Sequence, residues 1–97
     1  FQSWSWGGAE PVPRERIERL MAELPETVVR VKGVLRLIEE PDRRMILQRV
    51  GGRWTLRPGP GRRDGPHSRL VVIGMPGAIT EGWLERRLTA DGGGTDL

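Results

Sequence analysis

The sequence offers few residues whose types and spacing could perform chemistry. Its one histidine, His67, stands next to Ser68, and a serine beside a histidine is the usual pairing of a nucleophile with its base. Both residues lie in a stretch rich in glycine and proline, residues 58–68, and neighbours on a mobile loop do not form a positioned pair. We therefore interpret His67 as a solvated loop residue. No catalytic residue is predicted in this chain.

The same loop contains the run GPGRRDG, which superficially resembles a phosphate-binding segment. A phosphate-binding P-loop needs the pattern G-x-x-x-x-G-K-[ST] and a helix directly after its glycines, but a strand is predicted after this run. The chain has no cysteine, and one histidine cannot hold a zinc ion alone. No cofactor-binding or metal-binding residue is predicted either.

The third candidate is a group of cations in the run VVRVKGVLRL. Arg30 and Lys32 are two residues apart on a predicted strand, and Lys32 and Arg36 are four apart. Side chains an even number of residues apart on a strand point to the same side, so the three cations share one face. An arginine there can pair with a carboxylate through two parallel hydrogen bonds. Contact with another domain or protein is predicted for these three cations, and a solvated strand face is the alternative.

Two tryptophans could serve the same contact. Trp4 and Trp6 share one face of a predicted first strand, residues 1–6. They either anchor a partner domain through an apolar patch or pack inside their own domain. Both alternatives are open at this point.

Hydrophobic periodicity predicts the elements that position these residues, in the order β-α-β-β-β-β-α. Ile17, Leu20, Met21 and Leu24 form one apolar stripe of a helix that ends at Pro25. The predicted strands cover residues 1–6, 27–38, 44–50, 53–57 and 69–75, with a turn at 39–43, a Gly51-Gly52 hairpin and a second helix at 79–88.

The strand over residues 27–38 alternates clearly. Val29, Val31, Leu35 and Leu37 are predicted on the core side, and Val28 is predicted on the opposite side with the cations. Gly33 shares the core row, where it admits a close-packed helix or marks a bulge. The fold class predicted is α+β: a two-layer sandwich with a mostly antiparallel sheet of about five strands and both helices on one face.

The charge and composition of the chain limit the classes of protein to which it can belong. The net charge is +3, and 15 of the 16 basic residues are arginines spread among 13 acids. A small basic nucleic-acid-binding module is therefore the alternative, disfavoured because such binding needs clustered cations. No apolar run approaches the roughly 20 residues that span a bilayer. The lack of cysteine is compatible with a cytoplasmic protein, which is the location predicted.

Four segments carry a family resemblance: FQSWSW, the helix ending in ELPETVVRVKGVLRL, ILQRVGGRWTL and SRLVVIG. In this order they resemble the C-terminal domain of the CobW-type GTPases, the metal-chaperone branch of the P-loop GTPases. The resemblance covers residues 1–88. Its most specific parts are Arg30-x-Lys32-Gly33 after a helix and the strand RLVVIG.

The glycine-rich run DGGGTDL predicts a flexible tail at residues 91–97. The resemblance implies a domain at residues 1–90 that is a fragment of a longer GTPase. The family's GTPase domain carries the Walker motif, the magnesium ligands and a cysteine-rich metal motif, and none of these is in this sequence. It implies an accessory, non-catalytic domain in metal or cobalamin-cofactor handling, including zinc homeostasis. Its implied partners are an N-terminal P-loop GTPase domain of the parent chain and a client metalloprotein.

Overall fold

The computed structural model describes residues 1–60 and 67–89 and confirms the predicted order of elements. The elements are β1 (Gln2–Gly8), α1 (Arg14–Glu23), β2 (Val28–Leu37), β3 (Glu40–Val50), β4 (Arg53–Pro58), β5 (Ser68–Gly74) and α2 (Glu81–Leu88). The flexibility predicted for most of the 58–68 loop and for the tail concerns residues that lie outside the described ones.

The five strands form one antiparallel sheet in the order β1-β5-β2-β3-β4. The strand β5 therefore lies inside the sheet, between β1 and β2, as the apolar run of residues 70–73 predicts. Both helices pack on one face, which gives the predicted α+β sandwich of two layers. Among residues 1–60 and 67–89, no helix lies over the opposite face of the sheet.

The core lies between the sheet and the helices. Its buried side chains come from both layers and include Trp4, Ile17, Leu20, Met21, Val31, Leu35, Met45, Leu47, Leu70, Val72, Leu84 and Leu88. Each such side chain stabilises the fold by about 1.5–3 kcal/mol relative to exposure. The apolar stripe predicted for α1 is confirmed, because Ile17, Leu20 and Met21 are all buried.

The alternation predicted for β2 is confirmed from Val31 onward and is wrong at its start. Val28, predicted on the solvent side, is 1% exposed, and Val29 is only half-buried. The pairing of β2 with β5 shifts register between Val28 and Arg30, so the two-residue period breaks there. Gly33 does lie in the core row, but the backbone closest to it is that of β5 and not a helix.

The turn predicted at residues 39–43 is wrong in position. Leu37 pairs with Glu40, so the chain reverses through Ile38 and Glu39, and β3 is longer than predicted. A register irregularity between Leu35 and Leu37 absorbs the extra residues of β3. The second hairpin is confirmed: Gly51 has a φ of 61°, which glycine tolerates in a two-residue turn.

The second helix begins at Glu81, two residues later than predicted. Thr80 caps it, since its side-chain oxygen accepts a hydrogen bond of 3.0 Å from the backbone N–H of Trp83. Ile79 precedes the helix but is buried, so its apolar side chain still serves the core.

Candidate functional site

The face of the sheet without helices carries its side chains in rows across the strands. Lys32 lies opposite Val71 on one side and Gln48 on the other, and Val71 lies opposite Ser5. We call this surface the open face. Its residues are Ser3, Ser5, Gly7, Arg30, Lys32, Val34, Arg36, Arg44, Ile46, Gln48, Val50, Arg53, Thr55, Arg57, Arg69, Val71 and Ile73.

The open face is strongly basic. It holds Arg30, Lys32, Arg36, Arg44, Arg53, Arg57 and Arg69, and none of its residues is an aspartate or glutamate. By contrast, α1 carries three arginines and three glutamates, and α2 carries two of each. The positive charge of the described residues is therefore concentrated on one side of the molecule.

Aliphatic side chains occupy the middle of this basic surface. Val34, Val71 and Ile73 line a shallow depression of about 440 Å³, with Arg30 and Lys32 at its rim. Val71 is 39% exposed although it belongs to an interior strand. The combination of an aliphatic centre and a cationic rim can receive a surface that offers apolar groups and carboxylates together.

Two of the predicted contact residues, Arg30 and Lys32, are exposed on the open face. Neither forms an ion pair or a side-chain hydrogen bond with another residue of the described ranges 1–60 and 67–89. Their proposed contact with another domain stays a prediction. The geometry leaves both side chains accessible for it.

Arg36 is bound into its own domain more tightly than predicted. Its Nη2 donates a hydrogen bond of 2.6 Å to the carbonyl of Ala9, and its backbone N–H donates to Ser68 Oγ at 3.0 Å. The side chain is half-buried and borders a second depression with Arg44 and Arg69. Arg36 thus contributes positive charge to the open face while it ties the segment after β1 to β2.

The predicted tryptophans lie on the other side of the sheet. Trp4 is 3% exposed and belongs to the core, so of its two alternatives internal packing is the one observed. Trp6 is half-buried and packs against the same core. The structure therefore does not bring Trp4 and Trp6 together with the cations of β2.

Several residues of the open face were not singled out from the sequence. Arg69, Val71 and Ile73 belong to the strand predicted over residues 69–75, whose central residues 70–73 are all apolar and so do not distinguish one face from the other. The alternation of Arg53, Thr55 and Arg57 gave a signal that they share a face. The face of β4 that carries these residues lies on the same side of the sheet as the cations of β2. This follows from the order of the strands, which cannot be read from the local sequence pattern.

The residues considered for catalysis are not arranged for it. His67 is exposed, while Ser68 is fully buried and its hydroxyl accepts the N–H of Arg36. Within residues 1–60 and 67–89, no three His, Cys, Asp or Glu side chains cluster so that they could hold a metal ion. Neither described helix has the length and apolar character needed to cross a membrane.

Comparison with known proteins identifies the family. The profile described as "Cobalamin synthesis protein cobW C-terminal domain" matches residues 1–90, which include the whole of the five-stranded sheet and both helices. The chain belongs to this family. None of the curated proteins compared matches the chain.

Two solved structures are similar to the chain. The Zn(II)-bound YjiA GTPase from E. coli is 25% identical, with a TM-score of 0.69 over 89% of this chain and 28% of that chain. A Zn(II)-bound triple mutant of the YjiA GTPase is 26% identical, with a TM-score of 0.65 over 77% of this chain and 25% of that chain. The chain thus spans about a quarter of the length of these GTPases.

Proposed function

We propose that this chain is the accessory, regulatory C-terminal domain of a CobW-type GTPase that is involved in metal or cobalamin-cofactor handling. It acts through contact with the GTPase domain of the same polypeptide and with a client metalloprotein, and it performs no catalysis itself. The observation that carries this proposal is the family match over residues 1–90. The proposed compartment is the cytoplasm.

Two further observations support the proposal. The similar structures are of GTPases about four times longer than the matched region, which leaves room for a nucleotide-binding domain in the same chain. Both structures, which are of YjiA and of a triple mutant of YjiA, are described as Zn(II)-bound, and this favours zinc as the metal handled by the parent protein. The open face supplies a surface through which a contact domain can act.

The proposal is tested by comparing the full-length parent protein with a version that ends before Phe1. GTP hydrolysis is measured for both, with and without added Zn(II). If the domain regulates by contact, the two proteins differ in hydrolysis rate or in its response to Zn(II). Identical rates under all conditions, together with unchanged binding of the client metalloprotein, would show that the domain has no such role.

A further inference from the structure

The open face has the properties of a surface that another protein covers reversibly. Its aliphatic centre is only partly exposed: Val34 and Ile73 are half-buried, and Val71 is 39% exposed. A face meant for permanent burial would be mostly apolar, because obligate interfaces are depleted in charge. Interdomain interfaces within one chain are more polar, and the seven cations of the open face fit that class.

We infer that the open face docks reversibly onto an acidic, partly aliphatic surface of the GTPase domain in the same polypeptide. This inference rests on the proposed function and names the contacting surface and its chemistry. Carboxylates of the GTPase domain pair with Arg30, Lys32 and Arg69, and an aliphatic group covers Val71.

The size of the face agrees with this occupant. Five strands about 4.8 Å apart, with about seven residues of about 3.3 Å each, give a flat footprint of roughly 500 Å². Covering it buries about 1,000 Å² over both partners, which lies within the range of about 600–1,500 Å² for domains of one chain. An obligate complex needs about 2,000 Å² or more.

Charge complementarity requires an acidic occupant. The open face has no carboxylate of its own, so its cations depend on groups outside the sheet for ion pairs. Like charges gathered on one face repel each other, and an acidic partner relieves this repulsion while it is docked. The helices, whose charges balance, offer no comparable attraction.

The aromatic residues argue against nucleic acid as the occupant. Proteins that bind single-stranded nucleic acid on a sheet stack bases on exposed aromatic side chains. Trp4, Trp6 and Trp54 alternate with the open-face residues of β1 and β4, so they face the helices, and Trp83 belongs to α2. The centre of the open face is aliphatic, which suits a protein surface and offers no stacking platform for a base.

Lys32 makes the inference directly testable, since it is the single lysine of the chain and lies in the middle of the open face. Amine acetylation followed by mass spectrometry of its peptide is performed on the isolated 97-residue chain and on the full-length parent. We expect Lys32 to react more slowly in the parent. If the docked state is about 90% populated, the rate falls about tenfold, because only the undocked fraction reacts.

A matched control separates docking from a general effect of chain length. Arg86 is exposed on α2, away from the open face. The variant Arg86→Lys introduces a second reporter amine there, and it reacts equally fast in the isolated chain and in the parent. Protection of both amines alike contradicts docking through the open face.

A second variant tests the acidic chemistry of the occupant. Arg69→Glu places a negative charge near Lys32 on the open face. The acetylation rate of Lys32 in the substituted parent is compared with its rate in the isolated chain that carries the same substitution. We expect the variant to abolish most of the protection in the parent, as does raising the salt concentration. Protection that survives both changes overturns an acidic occupant.

The remaining outcomes are decisive as well. Equal acetylation of Lys32 in the isolated chain and in the parent overturns the inference. The inference is also overturned if Lys32 is protected only after a poly(U) RNA is added, since this result indicates nucleic acid as the occupant. Protection that appears only after the client protein is added overturns it as well. In each of these cases a change in GTP hydrolysis on removal of the domain would leave the proposed function standing, and identical hydrolysis would remove it.

Discussion

Gly33 of β2 lies opposite Leu70 of β5, and the two backbones approach so closely that only glycine fits. A methyl group on Gly33 would come within 2.9 Å of the Arg69 carbonyl oxygen and 3.2 Å of a Leu70 methyl carbon. Backbone atoms in a sheet cannot move independently of the ladder. The glycine therefore sets the local approach of the two strands that carry the middle of the open face.

The variant Gly33→Ala is expected to destabilise the fold. Although alanine suits a strand better than glycine, the clash with β5 has to be relieved by a shift of backbone, which costs about 1–3 kcal/mol of unfolding free energy. The midpoint of urea unfolding falls accordingly. Gly52→Ala is the control, because no atom lies within 4 Å of the added methyl group. Equal effects at the two positions would contradict the close approach described here.

Ser68 is expected to hold Arg36 in place through its hydroxyl. Ser68→Ala removes the acceptor of the Arg36 backbone N–H and leaves that donor without its partner in a partly buried position. We expect a loss of about 1–3 kcal/mol of unfolding free energy and faster hydrogen exchange at the Arg36 amide. Ser5→Ala removes an exposed hydroxyl from the open face and serves as control. An unchanged exchange rate at Arg36 would refute the role of Ser68.

The buried charge of Arg49 is expected to lower the unfolding free energy of the domain. It lies on the core side of β3, opposite Trp54, where it is 7% exposed. Its Nε donates to the carbonyl of Gly51 at 2.7 Å, but Nη1 is buried without a partner among the described residues. Burial lowers the pKa of this guanidinium, because the charged form is desolvated.

Arg49→Met keeps an unbranched chain against Trp54 and removes the desolvated charge. We expect the unfolding free energy to stay equal or to rise by up to about 2 kcal/mol, whereas Arg49→Ala lowers it by leaving a cavity. Because the pKa is lower in the folded state, the charged guanidinium of Arg49 reduces the unfolding free energy by a constant amount at every pH below that pKa. The reduction shrinks only when the pH rises past the folded-state pKa. The Met variant should therefore show the same difference at about pH 6 and about pH 8. A large loss in the Met variant would show that the guanidinium stabilises the fold.

The sequence predicted the fold because its elements follow local rules. The apolar stripe of α1 and the alternation of Val31, Leu35 and Leu37 depend on helical and strand periods that any window of the chain displays. The register shift at Val28 could not be predicted, since it arises where β2 pairs with β5, and Val28 lies opposite Gly74, which is far along the chain. The early start of β3 at Glu40 has a different origin, since it follows from the tight hairpin in which Leu37 pairs with Glu40 and from the irregular register between Leu35 and Leu37.

The candidate site was predicted in part for a related reason. Arg30 and Lys32 share a strand, so their common face follows from spacing alone. Arg69 and Val71 join them only through the strand order, which no local pattern reveals. Trp4 has an apolar side chain that suits a core and an interface equally, and only the packing of the helices decides between them.

The charges of the described residues are distributed unevenly between the two sides of the sheet, a property that the net charge of +3 does not reveal. Seven cations on the open face and balanced helices on the other side create a dipole moment along the normal of the sheet. In the field of an anionic neighbour, this moment produces a torque that turns the open face forward before any atoms touch. The orientation of approach is thereby selected by the long-range field, and short-range packing has only to complete it.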